Sequence, residues 1–262
     1  MTEARPVRIG IVGTGAVAQL VHLPICTERT DVEVVALADA ETDKAEALAR
    51  RFGVGRVQST EDLVKSDDLD AVILCTPNFL HEAEAVVALE HGRHVLVERP
   101  LALTPEGCRR VIDTASEHGR MAMVGMSHRF RPDVAALRGG VLGGELGSVY
   151  AGRATWMNRY VPLGRTTWRQ KPVEAGGGAL MDLGVQCIDL LLWVLGHPDI
   201  RRVNALASRG KLDVEDAATL LMETASGAAL TIDVSWHFFA RHDRHYLRVL
   251  GSEGSGHLPP LE

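Results

Sequence analysis

The chain has 262 residues, enough for one large domain or two ordinary ones. With 46% hydrophobic and 24% charged residues it reads as a globular protein with a real core, and a net charge of −6 argues against a general nucleic-acid binder. No apolar run approaches the ~20 residues that span a bilayer, so no membrane partner is expected.

Residues 1–8 are short and polar, which predicts no signal peptide. Cys26, Cys75, Cys108 and Cys187 are scattered without metal or redox spacing, so a reducing cytoplasm is the expected setting and no metal site is expected. Strands are predicted at 7–12, 32–38, 71–75, 94–97 and 121–124. Amphipathic helices are predicted at 17–23, 43–52, 60–65, 81–90 and 105–118. Thr42 is placed to cap the second helix and Gly53 to end it. Thr104-Pro105 reads as an N-cap with proline at the first helical position, and Gly119 closes that helix. Strands alternating with helices imply βαβ units and a parallel sheet.

After Gly125 the pattern changes. A strand is predicted at 149–157. Gly176, Gly177 and Gly178 precede an apolar helix over 179–195, stopped by Gly196 and Pro198. Strands follow at 203–208, 217–224, 228–236 and 246–250, with 225–227 as a hairpin turn. Tight turns between strands predict an antiparallel sheet. The predicted fold class is α/β: a Rossmann domain over residues 1–125, then an α+β domain with an open antiparallel sheet over 126–262. That second domain is expected to bind substrate and to oligomerise.

Two features point to a ligand. The run Gly13-Thr14-Gly15-Ala16-Val17-Ala18 follows a strand and opens a helix, and Asp39 ends the next strand about 20 residues later. Glycines permit the tight turn and close pyrophosphate approach, the helix N-terminus favours negative charge, and the acid accepts ribose hydroxyls. An acid there repels a 2′-phosphate, and no basic residue follows until Lys44, so NAD is favoured over NADP. Thr76-Pro77-Asn78 and Glu98-Arg99-Pro100 each follow a strand at its carboxyl end, where open α/β sheets bind ligands.

With these motifs, the segment from His94 to Leu101 and the pattern Gly177-Gly178-x-Leu180-x-Asp182-x-Gly184, the chain resembles the Gfo/Idh/MocA oxidoreductase family. That is the glucose–fructose oxidoreductase and inositol dehydrogenase group. The likeness runs from about Val7 to Gly254, and the Trp168-Arg169 pair also fits. It implies a Rossmann domain with an open-faced sheet, NAD(P), a carbohydrate-like substrate and a homodimer or homotetramer. Gly13, Gly15, Ala16, Val17, Asp39, Thr76, Pro77, Asn78 and Glu98 are then the cofactor candidates. Arg99, Trp168, Arg169 and Asp182 are the substrate candidates.

Two departures fall at the presumed reaction centre. The family carries Glu-Lys-Pro where this chain has Glu98-Arg99-Pro100, and Asp-x-x-x-His where it has Asp182 followed by Gln186. Arginine does not release its proton in practice, and glutamine has none to exchange. The chain prefers arginine to lysine throughout, so drift is an alternative account of Arg99, and the weaker one because it does not explain Gln186 as well. Arg99, Asp182 and Gln186 remain the catalytic candidates, with Asp182 the best titratable group and Asp189 two turns on along its face. His128 and Tyr160 are weaker proton-transfer candidates. His242-Asp243-Arg244-His245 reads as an exposed loop rather than a metal site. Relatives continue past the 246–250 strand, so a shortened second domain is expected. Three functions follow: an NAD-dependent oxidoreductase on a sugar, cyclitol or related polyol or ketone; an NAD-binding pseudo-enzyme or regulatory subunit; or an NAD-assisted redox-neutral enzyme.

Overall fold

A computed structural model describes residues 5–161 and 167–259. Part of the loop 159–169 and the last three residues lie outside them. The chain divides into two compact units between Gly125 and Met126.

The first unit alternates strand and helix: β1 (Val7–Val12), α1 (Leu23–Glu28), β2 (Val32–Ala38), α2 (Thr42–Phe52), β3 (Arg56–Val57), α3 (Thr60–Lys65), β4 (Ala71–Leu74), α4 (Asn78–Glu90), β5 (His94–Val97), α5 (Pro105–Glu117) and β6 (Ala122–Val124). The sheet is parallel in the order β3-β2-β1-β4-β5-β6. This is a doubly wound Rossmann sheet whose strand order reverses between β1 and β4. Its strands are buried on both faces, which is why they read as continuous apolar runs. Ile9 and Ile11 of β1 pack with Leu23, Leu48 and Ala49 on one side. Val12 packs with Leu63, Leu74, Ala85 and Leu89 on the other.

Local rules set most helix ends. Thr104 Oγ1 accepts the Gly107 N–H at 3.0 Å, and Pro105 stands at the first helical position. Gly53, at φ +70°, ends α2. Thr42 does not cap α2: it is the first helical residue, and Glu41 holds the cap position without a side-chain bond. The 17–23 helix is a π-type turn over Ala18–His22 that runs on into α1. The helix expected from 81 starts at Asn78, directly after Pro77.

The second unit contains α6 (Pro132–Leu142), β7 (Val149–Arg159), α7 (Pro172–Ala175), α8 (Val185–Val194), β8 (Ile200–Ser208), β9 (Ala217–Thr224), β10 (Ala229–Phe238), β11 (Arg244–Gly251) and β12 (Ser255–Leu258). Its sheet runs β12-β11-β7-β10-β9-β8. The wholly antiparallel expectation is corrected here. β7 and β10 run parallel, so the sheet is mixed; the other neighbours are antiparallel. A hairpin joins β9 to β10, but β10 enters beside a strand far earlier in the chain, and no local turn encodes that direction. The sequence reading also missed β3, α6 and β12.

One face of this sheet carries Ala154, Leu220, Leu230, Ile232, Val234, Leu247 and Val249 against Leu183, Cys187, Leu190, Leu191 and Val194. The stretch Pro172–Val194 has the length and apolarity of a membrane-crossing helix, contrary to the sequence expectation. It is interrupted at Gly176, Gly177 and Gly178, and its apolar residues form this core.

The glycine run has a packing cause. A Cβ on Gly178 would lie 1.9 Å from the Glu215 carbonyl oxygen. The Glu215 carboxylate accepts the N–H groups of Gly178 and Leu180 at 2.8 and 3.0 Å, and its carbonyl accepts that of Ala179 at 2.8 Å. One residue thus satisfies the helix start, whose N–H groups otherwise lack partners. Gly178→Ala should cost about 1–3 kcal/mol by forcing these backbones apart, read as a lower denaturation midpoint at unchanged slope.

Candidate active site

In the first unit the site grows from the loop after β1. Gly13 has φ +84°, and its Cβ would sit 2.6 Å from the Cys75 carbonyl carbon. Only glycine lets the two strand ends meet there. Gly15 is the opposite case, since a Cβ on it would meet nothing within 4 Å. That open face is what a pyrophosphate needs to approach the backbone. Ala16 and Val17 begin the helix behind it.

Asp39 lies at the end of β2, its side chain 11% exposed. Its Oδ2 accepts the backbone N–H and hydroxyl of Thr14, each at 2.6 Å, and its Oδ1 accepts the Glu41 N–H at 2.9 Å. Burial pushes the carboxyl up, but the bonds from Thr14 and Glu41 and the Lys44 charge outweigh it and hold the pKa below the usual carboxylate value. Lys44 stands 3.5 Å from Oδ2. The basic residue the sequence placed at a remove is therefore beside the acid. A carboxylate accepts about four hydrogen bonds, so Oδ1 retains capacity for a ribose hydroxyl.

The loops after β4 and β5 supply Thr76, Pro77, Asn78, Glu98 and Arg99. Asn78 is buried and opens α4. Thr76 Oγ1 donates to Glu84 Oε2 at 2.5 Å. Burial raises Glu84 to about 7, against the opposing hydrogen bond from Thr76. His22, from the π-type turn, donates through Nε2 to Glu98 Oε1 at 2.8 Å. Gly125 leaves room for that carboxylate, since a Cβ there would lie 3.2 Å from it. Arg99 is half-buried, and the Arg99–Pro100 peptide is cis.

In the second unit Asp182 lies in a π-type turn over Leu180–Gly184, just before α8. Such turns are rare and frequent at functional sites. Asp182 Oδ2 accepts the Trp236 Nε1–H at 3.0 Å. Gln186 is 7% exposed on the same helix. Asp189 forms a two-pronged ion pair with Arg129 and is structural.

His245 corrects the exposed-loop reading of 242–245. It lies within β11, 9% exposed, its ring 4.4 Å from that of Trp156 and its Nε2 3.4 Å from Asn158 Oδ1. His128 meets the same indole edge-on at 5.1 Å. His128 also borders an open depression of about 610 Å³ with Ser127, Arg131, Pro132 and Asp133. Tyr160 instead joins His237 and the exposed Phe239. Trp168 and Arg169 form a short helical turn in which the guanidinium stacks 4.4 Å over the indole.

Sequence reasoning missed His22, Thr14, His81, Glu84, Trp236 and Asn158. Their partners lie far along the chain, or the spacing carries no pattern. Only His81 and Glu84, one turn apart on a helix that starts after Thr76-Pro77, left a usable signal.

The family model for the oxidoreductase family with an NAD-binding Rossmann fold matches residues 7–126, and that for the GFO/IDH/MocA C-terminal domain matches 134–257. Among similar proteins, a D-glucoside 3-dehydrogenase of Escherichia coli K12 is 36% identical over 76% of this chain and 57% of its own length. A 1,5-anhydro-D-fructose reductase of Ensifer adhaerens is 32% identical over 95% of this chain and 74% of its own. The crystal structure of GenD2 from gentamicin A biosynthesis, in complex with NAD, superposes with a TM-score of 0.90 at 30% identity, over 97% of this chain and 72% of that one. Levoglucosan dehydrogenase with NADH and L-sorbose gives 0.86 at 26% identity, over 96% and 72%. The chain thus spans a little over half to about three-quarters of the length of these relatives.

Glu84 makes stability pH-dependent. Folded Glu84 holds its proton to about pH 7, while the unfolded carboxyl releases it near 4.5. The unfolded state loses its proton first, so stability falls as pH rises from about 4.5 to about 7, by on the order of 3 kcal/mol. Glu84→Gln should flatten that slope in denaturation curves across this window.

Proposed function

The chain belongs to the Gfo/Idh/MocA oxidoreductase family, and on that premise we propose that it is an NAD-dependent oxidoreductase acting on a hydroxyl or ketone carbon of a sugar, cyclitol or related polyol. The observation that carries this reading is the loop after β1, with Gly13 pressed on Cys75, Gly15 open and Asp39 fixed at the neighbouring strand end. Those residues, with Ala16, Val17, Thr76, Pro77, Asn78 and Glu98, would hold the dinucleotide. NAD, when bound, supplies the hydride-accepting or hydride-donating carbon.

The chain's own residues have separable roles. Arg99 is a permanent cation and stabilises a developing alkoxide, which suits ketone reduction better than alcohol oxidation. Asp182, tethered by the Trp236 indole, orients or exchanges a proton, and Gln186 hydrogen-bonds substrate. Trp168 and Arg169 offer a stacked apolar and cationic surface to a sugar. The outer face of the second sheet carries Leu206, Thr219 and Leu221, and suits pairing with another copy into a homodimer or homotetramer.

Gln186 favours a second reading, an NAD-binding protein without dehydrogenase turnover. A buried amide stands where proton exchange is needed. The two readings separate in an NADH-oxidation assay against ketosugars and ketocyclitols. Active wild-type enzyme that loses roughly 100-fold in kcat on Arg99→Ala supports the reductase; undiminished reduction by that variant removes Arg99 from the chemistry. Turnover that appears only in Arg99→Lys combined with Gln186→His supports the second reading.

The glycines provide a separate check on the cofactor. Gly15→Ala should leave the denaturation curve unchanged, because its Cβ enters open space, yet weaken NADH binding at least tenfold in calorimetry. Unchanged affinity in that variant would move the pyrophosphate away from this loop.

A further inference from the structure

Helix α4 turns two polar side chains back onto the loop that precedes it. His81 is 1% exposed. Its Nε2 lies 2.8 Å from the Thr76 carbonyl oxygen, and its Nδ1 lies 2.7 Å from the Pro100 carbonyl oxygen. One turn later Glu84 takes the Thr76 hydroxyl at 2.5 Å. Thr76 follows β4 and Pro100 follows β5, and these strands are neighbours, with Leu74 opposite Val97. A single imidazole therefore spans the two loops that carry Thr76-Pro77-Asn78 and Glu98-Arg99-Pro100.

Both loop partners are carbonyl oxygens, which only accept, so a ring nitrogen that carries a proton donates to the carbonyl it faces. Burying a polar ring costs free energy unless it is hydrogen-bonded, and here both nitrogens are engaged. An apolar side chain would fill the same space without joining the loops. The two strands end on the Glu98 N–H, which donates to the Leu74 carbonyl at 2.9 Å, and His81 joins the loops beyond that bond. Misplacement of a reacting group by about 1 Å is enough to cost on the order of 100-fold in rate.

We propose that His81 is a positioning residue. It fixes the separation of the 76–78 and 98–100 loops and thereby sets where Arg99 stands beside the bound dinucleotide. This rests on the NAD reading above. His81 itself touches neither cofactor nor substrate; it acts through two backbone carbonyls.

The test compares full-length wild-type protein with His81→Phe, which keeps a ring and removes both ring nitrogens, and His81→Gln, whose amide carries two protons. Amide hydrogen exchange is followed without ligand, and NADH affinity is measured by calorimetry. In His81→Phe, exchange should quicken in peptides covering 76–80 and 98–101 together, with β1 and α2 unchanged, and the NADH Kd should rise about tenfold or more. His81→Gln should recover part of both effects. Should His81→Phe not fold, His81→Leu carries the same comparison. Exchange that rises uniformly over the whole unit, or in only one loop, overturns the clamp, and so does loosening of both loops at unchanged NADH affinity. Wild-type protein that binds no NADH overturns the cofactor reading instead, and the exchange data then still decide whether His81 joins the loops.

Discussion

The site depends first on a backbone contact. At the point where strand order reverses, the loop after β1 rests on the chain leaving β4, with Gly13 so close to Cys75 that no side chain fits between them. That approach positions Thr14, whose N–H and hydroxyl both bind Asp39 across the end of β2. It also sends Gly15 into open space. One steric constraint therefore organises three strand ends, and the open face at Gly15 and the fixed Asp39 carboxylate follow from it.

The second unit solves a comparable problem by other means. Its central helix starts on the Glu215 backbone and carboxylate, an approach that the missing side chain of Gly178 permits. The start passes into a π-type turn that carries Asp182, and the Trp236 indole from β10 holds that carboxylate. Trp156, His128, His245 and Asn158 make up a second group of aromatic and polar side chains in this unit. Both units thus place a π-type turn beside their candidate chemistry: His22 and Glu98 in the first, Asp182 and Trp236 in the second. A π turn widens the helix locally and re-aims a side chain without breaking the helix.

The altered residues sit in this frame unequally. Arg99 keeps a positive charge at the end of β5, so the electrostatics of the position survive the change from lysine. Gln186 keeps hydrogen-bonding capacity but loses titration. Arg99 stands in the first unit and Gln186 in the second, and neither a guanidinium nor an amide exchanges a proton in practice.

The sequence by itself determined the elements whose causes are local. Apolar runs gave the parallel strands, Thr104-Pro105 and Gly53 gave helix ends, and the loop spacing to Asp39 gave the dinucleotide. Even the turn at Gly13, the open Gly15 and the acid at the end of β2 were legible, because a turn, an open approach and an acid are properties of single residues in a short motif. Only the tertiary structure decided what depends on distant partners. β10 beside β7 makes the second sheet mixed, and no turn in the chain specifies that pairing. His245 reads as part of a polar loop until β11 buries it against Trp156. His81 reads as one more helix residue until the fold brings the Thr76 and Pro100 carbonyls to its two nitrogens. Periodicity and spacing report on neighbours along the chain, whereas these contacts join neighbours across a sheet, and only the folded chain defines those.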